Sequence, residues 1–386
     1  MRVAVRLRFV SLVALLLPSI PGIATATARH QAALACTGSW QVEPSPNVTQ
    51  GENELVGVSA VSSADVWAVG SKQPDSGPKP LTHHWDGTAW SVVPTPFVGD
   101  AVLTGVSAIS SSDVWAAGYR ESAIQTPLAY HWDGTAWKLV RTPQPGIESQ
   151  FLGISAASGS DVWAVGHVFR AGLEQSLAMH WDGSTWAVVP TPSPPSRNVD
   201  ILGVTAIADD DAWAVGNAYD SHSFAAAPIA MHWDGTLWAL VPLPHVDGEY
   251  LAGVFGTSTS DVWAVGTIGI YPTTSLMLHW DGSAWSDVPS PSPGTSGNEL
   301  QSVTADSANR AWAVGWSWSL GGLDVPLIVE WDGSTWSVAP SPVPNPNNEN
   351  LLMGVSAVSS SEAWTVGGFV DPARQDAYST LTMHEC

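Results

Sequence analysis

Hydrophobic and polar positions along this chain fall into a short recurring pattern. Brief apolar runs such as LVGVSAV, DVWAVG, LTHHW and TAWSVV are separated by Ser-Ser-Asp, Asp-Gly and Pro-Thr-Pro breaks. Runs of that length bounded by turn residues predict β-strands. The Asp-Gly after the third run is a strong hairpin signal, because both turn residues accept positive φ. Prolines after the fourth run end its pairing. The four runs therefore predict one antiparallel unit.

That unit returns. SSADVWAVG at 62–70 recurs as SSSDVWAAG, SGSDVWAVG, DDDAWAVG, STSDVWAVG, SANRAWAVG and SSSEAWTVG, with Trp67, Trp115, Trp163, Trp213, Trp263, Trp312 and Trp364 spaced 48 to 52 residues apart. In the first run Gly57 is matched by Gly105, Gly153, Gly203, Gly253 and Gly354, and by Ser302 in the sixth copy. Small residues there suit a strand pressed against its neighbours. Seven copies of a four-stranded unit predict an all-β fold, a seven-bladed β-propeller.

The seventh copy stops at LTMHEC, before its fourth strand. The missing piece is at the other end: CTGSWQVEPSP, 36–46, matches the fourth strand, with Trp40 where Trp90 stands and Pro44 where Pro94 stands. The N-terminal strand is expected to complete the last blade, three strands plus one, and so remove the open edges of an unclosed arc. Cys36 and Cys386 are the only cysteines and fall at the point where other blades have the Asp-Gly turn. In a secreted chain they are expected to form a disulfide, contributing about 4 to 5 kcal/mol less strain in the chain-entropy model. A lipid-anchored Cys36 after Ala33-Leu34-Ala35 is the rival reading; it lies far from the apolar leader and leaves Cys386 unpaired.

The leader carries Arg2, Arg6 and Arg8, then FVSLVALLL, then a small-residue ATA. Basic, apolar, small is the order of a secretory signal, here 1–28 with cleavage after Ala28. It is too short to span a bilayer, and no later run reaches that length. A short segment, 29–35, precedes a single propeller domain, 36–386. Removing the leader leaves 10 basic against 35 acidic residues, a formal charge of −25. Such a surface repels phosphate backbones, so nucleic acid and anionic membrane are not expected partners. With 45% hydrophobic and 12% charged residues the chain is a packed domain and not an acidic tail. It is expected to be a secreted monomer.

Copies compared with one another assign the repeated polar residues. The residue opening the second strand and the one before the third-strand tryptophan lie at one end of adjacent strands, pairing Asp65 with His84, Asp113 with His131, Asp161 with His180, Asp211 with His232, Asp261 with His279 and Glu362 with His384. In the sixth copy both change together, to Arg310 and Glu330. Exchange that keeps charge complementarity marks structural pairs. No metal or cofactor is expected, because a zinc site needs converging ligands and these histidines sit on separate blades. Of 22 tryptophans, 20 occupy repeated positions, as packing residues or cross-strand partners. The two left over are Trp316 and Trp318.

The chain resembles bacterial secreted β-propellers built from D-V-W-A-V-G and H-W-D-G-x-x-W repeats. Its third and fourth strands are also loosely similar to the W-W-D-G-x-x-W repeat of bacterial propeller lectins. Neither resemblance implies a particular chemistry. Lectins of that kind use near-identical sites, whereas here one loop set differs in every copy.

In a propeller the loops joining strands two to three, and blade to blade, share one face. Here they are long and varied, and the residue after the A-V-G glycine is Ser71, Tyr119, His167, Asn217, Thr267, Trp316 or Gly368. This face is the expected binding surface, with Trp316, Trp318, Tyr119, Arg120, His167, Arg170, Tyr219, His222 and Tyr271 as candidates, aromatics beside cations. The expected function is a secreted module binding a glycan or a surface protein. A glycoside hydrolase or lyase is the alternative, but glycosidases need two flanking carboxylates. Glu121, Glu174, Asp220, Asp324 and Asp371 supply no evident pair, and WDGSTW does not match a sialidase Asp-box. A non-catalytic cell-surface scaffold shares the fold. A large exposed apolar patch on the variable face would favour a protein partner, and a concave aromatic pocket would favour sugar.

Overall fold

The structure is a computed structural model; it describes residues 38–220, 226–244, 248–269 and 271–386. The expected leader, the 29–35 segment, Cys36 and His222 lie outside the described residues. Among those described, the chain forms seven four-stranded antiparallel sheets, each in the order first, second, third, fourth strand. The first blade runs Asn53–Ser62, Asp65–Lys72, Lys79–Trp85 and Trp90–Val92. The seventh is completed from the other terminus, as expected: Trp40–Val42 pairs with Ala377–Glu385, Trp40 opposite Glu385 and Gln41 opposite His384.

First strands are innermost, since each touches the first strands of both neighbouring blades, Asn350–Ser359 against Asn53–Ser62 included. Glycine sets how close they come. A Cβ on Gly57 would lie 3.1 Å from Gly105 Cα, and one on Gly153 only 2.7 Å from Leu202 O. Each first strand also carries a bulge there, the register slipping between Leu55 and Gly57 in blade 1 and at the matching place in every other. In copy six Ser302 uses its hydroxyl to accept from Val355 N at 3.3 Å. The second-strand glycine is more constrained: a Cβ on Gly70 or any of its six counterparts would sit 1.8 to 2.1 Å from a first-strand carbonyl oxygen. This is why every copy ends that run in glycine.

A second inner link joins six of the seven blade junctions. Ser59 Oγ accepts from Ala108 N at 2.9 Å, and Ser107, Ser155, Thr205, Thr304 and Ser356 repeat the bond to the following blade. Phe255 replaces the hydroxyl in blade 5.

Between blades the core is indole. Trp67 is 1% exposed; it packs on His84 of its own blade at 4.4 Å between ring centroids and on Trp132 and Trp137 of the next blade at 4.9 and 5.2 Å. Trp115, Trp163, Trp213, Trp263 and Trp364 repeat this joint.

The joint between blades six and seven is different, because the third strand of blade seven places Glu385 where other blades have tryptophan. Trp312 donates its indole N–H to Glu385 Oε2 at 2.7 Å, and Trp40 donates to Glu330 Oε1 at 3.2 Å. Arg310 bridges both carboxylates, at 3.0 Å to Glu330 and 3.4 Å to Glu385, and covers the Trp312 ring at 4.6 Å where a histidine stacks elsewhere. Burial first, then Glu330, pushes the Glu385 carboxyl up, while the Trp312 N–H and Arg310 pull it down. The exchange to Arg310 and Glu330 is therefore one part of a three-residue substitution.

One buried polar residue has no such compensation. His83 is 0% exposed, and both ring nitrogens lack a partner among the described residues. It occupies a slot that holds Tyr130, Met179, Met231, Leu278, Val329 or Met383 in other blades. Burial, then Lys72, lowers its pKa from 6.5 to about 4. The unfolded chain binds that proton more tightly, so stability is full above about pH 6.5 and falls as pH drops toward 4, by about 3 kcal/mol from this residue alone. In His83→Met, urea unfolding at pH 7 and pH 4.5 should show a smaller acid loss than in the wild type. An unchanged loss would place the acid sensitivity elsewhere.

Candidate functional site at the channel mouth

The two faces of the ring differ in how their turns are held. On one, each third-strand indole donates to the turn between strands one and two, Trp85 to Ser63 O at 3.1 Å and Trp132 to Ser111 O at 3.1 Å. The Asp-Gly turn beside it is closed by its own aspartate: Asp86 Oδ1 accepts from Thr88 N, Thr88 Oγ1 and Ala89 N. The Thr88 hydroxyl, then the Ala89 and Thr88 amides, hold that carboxyl down to about 2. Histidines of the repeated pairs stand on this face, at 2.8 Å for His84–Asp65 and His131–Asp113, 2.7 Å for His180–Asp161, 2.9 Å for His232–Asp211, 2.7 Å for His279–Asp261 and 3.0 Å for His384–Glu362. Their Nε2 atoms bond the carboxylates and their rings stack on tryptophan, a packing role.

On the opposite face each blade-to-blade connection is clamped between hairpin loops. Glu121 N donates to Asp100 O, Ser149 N to Gln125 O, and Ser296 N to Trp318 O. At the inner end of this face the strand register builds a ring. The residues after the A-V-G glycine stand opposite first-strand partners: Ser71 faces Glu54, Tyr119 Val102, His167 Gln150, Asn217 Asp200, Thr267 Tyr250, Trp316 Glu299 and Gly368 Leu351. Directly paired residues share one side of the sheet, so the two sets stand at one level, the first-strand set on the innermost strands around the channel mouth and the other one strand farther out. Sequence comparison singled out one column and missed its partner. The missed column varies just as strongly, and it carries the acids Glu54, Asp200 and Glu299.

Cross-blade bonds join part of the ring. His167 Nδ1 lies 2.8 Å from Asp200 Oδ1 of the next blade. Tyr219 donates its hydroxyl to Glu174 Oε2 of the preceding blade. Burial pulls the His167 imidazole down, but the Asp200 bond, with Glu174 and Glu148, outweighs it and leaves the ring above its ordinary value. Burial and nearby acids, Asp200 among them, raise the Tyr219 and Tyr250 hydroxyls well above the usual phenol range. Tyr119 is pushed up to about 12 by burial, then Glu121. Glu54 is half-buried, and its carboxyl has no hydrogen bond or ion pair among the described residues. Desolvation, then Glu52, raises it to about 7.

The other candidates scatter. Trp316 is half-buried in the ring. Trp318 is also half-buried, and its ring lies over Gly297, where a Cβ would come within 1.9 Å of it, so it is not an open platform. Arg170 folds its guanidinium onto Pro145 O at 2.8 and 3.0 Å. Arg120 pairs at the strand end with Ala101 and Thr126, and no stacking of a guanidinium on a candidate aromatic occurs among the described residues. Tyr271 is 64% exposed at the rim. Of the carboxylates weighed for catalysis, Glu174 holds Tyr219, and Asp371 caps the short helix Pro372–Arg374 and accepts from Ser379 Oγ. Two cavities of about 240 Å³ lie away from the mouth, one on the outer flank of blade 4 beside Ile229 and Leu240, one on the repeated face between His232 and Trp280.

Asp200→Asn should drop the His167 titration midpoint below the ordinary imidazole value of about 6.5, read by NMR across pH. A midpoint that stays where it was would mean that Asp200 does not hold the ring.

No protein-family model matches the chain, and no curated protein matches it either. Solved structures do. YCF48 bound to D1 peptide is similar with a TM-score of 0.54 at 14% identity, over 92% of this chain and 98% of that one. A polysaccharide lyase PL25, an ulvan lyase bound to its sugar, is similar with a TM-score of 0.53 at 9% identity, over 90% and 95%. The six-bladed fucose lectin of the fungus Aleuria aurantia has a TM-score of 0.46 at 13% identity, over 76% and 97%. At such identities the likeness is one of fold.

Proposed function

We propose that this chain is a non-catalytic binding module that recognises a protein partner through the variable face of its propeller. The observation that carries this is the exposed apolar surface on that face. Phe97 and Leu320 are each 85% exposed, Tyr271 64% and Ile147 63%, all on the variable loops. Large apolar side chains left this exposed on one face support an interaction surface there. The candidate tryptophans, by contrast, are half-buried and line no open sugar platform. Glycan binding at the channel mouth is the second reading, favoured by Trp316 and Glu299 standing side by side with Tyr250 nearby in the ring.

The module is proposed to be secreted after loss of 1–28, with Cys36 and Cys386 clasping the last blade. The clasp is supported by the strand pairing, which carries Gly38 N onto Cys386 O, two residues from Cys36. Thiol labelling and mass analysis of the unreduced protein test it: the expected result is a mass beginning at Arg29 and no reactive thiol, and a labelled Cys386 would overturn the clasp.

For the binding reading, the whole secreted protein is applied in parallel to a displayed random 12-residue peptide library and to a glycan array. Peptide recognition is expected, with Phe97→Asp abolishing it and Thr135→Asp on the repeated face leaving it intact. Glycan recognition lost in Trp316→Ala, with no peptide enriched, would replace this reading by the second.

A further inference from the structure

The variable face carries a layout that specifies more of the partner than its being a protein; this step rests on the protein-binding reading above. The most exposed apolar residues of the variable face stand at two places among the described residues, while Val48 and Val343, at 42% and 39%, lie apart from both. Phe97, Ile124 and Ile147 belong to three consecutive loops around blade 2, at 85%, 49% and 63% exposure. Hydrogen bonds from Glu121 N to Asp100 O and from Ser149 N to Gln125 O tie those loops together. Tyr271, Leu320 and Leu323 belong to the hairpin loops of blades 5 and 6, at 64%, 85% and 41%. The connection between them is bonded to both sides, Thr273 N to Ser296 O and Ser296 N to Trp318 O.

These two ridges oppose each other. In a ring of seven blades, blade 2 and the junction of blades 5 and 6 stand half the ring apart, with the channel mouth between them. The mouth is acidic: Glu54, Asp200 and Glu299 share its level. Of the cations on this face, His167 is engaged by Asp200, Arg170 by Pro145 O, and Arg374 by the carbonyls of Thr49, Gly51 and Tyr378. Glu54, raised to about 7 by burial and by Glu52, is a carboxyl that a cation would ionise fully. The whole chain carries a formal charge of −22, so approach of a basic segment is also favoured at long range.

We propose that the partner presents an extended segment with lysine or arginine at its centre and apolar side chains at both ends, lying across the channel mouth from blade 2 to blades 5 and 6. The apolar ends cover the two ridges and the central cation meets the mouth carboxylates. Two separated apolar anchors with a charge between them also fix the segment's register, which either ridge alone would leave free.

The test uses the peptides enriched from the 12-residue library on the full protein, resynthesised and titrated calorimetrically. Enriched sequences should carry a central Lys or Arg flanked by apolar residues. Their affinity should fall about tenfold or more in Glu54→Gln/Asp200→Asn, and likewise in Phe97→Asp and in Leu320→Asp. It should also weaken with added salt, as screened charge pairs do. Glu54→Gln alone keeps the charge test available if the double variant melts early. Peptides that are neutral or acidic, or that bind the charge variants and one ridge variant as well as wild type, overturn this inference while leaving a protein-binding module. Failure of every peptide together with glycan recognition overturns the underlying reading as well.

Discussion

Everything in this molecule is subordinate to closing a ring of seven sheets. Neighbouring first strands approach so closely that a single Cβ at Gly57 or Gly153 would meet the next backbone, and an error at one junction has nowhere to go except round the circle. Each junction must therefore be nearly the same, and the indole joint, Trp67 between His84 and the next blade's Trp132 and Trp137, is how the chain repeats it. Sequence uniformity follows from that geometry. Some buried slots still vary, as where Tyr130, Met179 or Leu278 stands in place of His83, but the long loops that differ in every copy gather on one face.

The closing junction shows what the constraint tolerates. The chain ends meet in blade seven, so the third-strand tryptophan is replaced by Glu385 next to the terminus. An unpaired carboxylate in an indole slot would be costly. Three residues absorb it: Arg310 pairs with both Glu330 and Glu385, and two indole N–H groups donate to the same carboxylates. In the other six junctions the second-strand indole N–H has no acceptor among the described residues and meets the next blade's rings instead. The seam thus exchanges ring packing for a hydrogen-bonded charge cluster of similar reach.

The fold was legible because repetition makes its own alignment: strand number, blade number, the 3+1 closure and the Asp–His pairing are all visible by comparing the copies. The candidate site was legible only in part. The column after the A-V-G glycine was visible, but its partner column, Glu54 to Leu351, becomes a site feature only once the register places the two side by side. Trp318 stood out by composition, yet Gly297 opposite leaves room for the ring to lie down on the strand. The importance of Phe97 and Leu320 is absent from any residue-type argument, since exposure depends on how each loop is clamped. Nothing in the LTHHW run separates His83 from His84 by residue type, and its burial follows from the two-residue alternation of a strand with one face packed against blade seven.

If ring closure is the governing constraint, the short strand Trp40–Val42 carries far more than its three residues suggest, because it completes blade seven and delivers Trp40 to Glu330. The direct measurement is thermal unfolding, by calorimetry, of a variant beginning after Pro44. The account predicts loss of the single cooperative transition and melting well below the parent protein; one sharp transition at the parent temperature would contradict it.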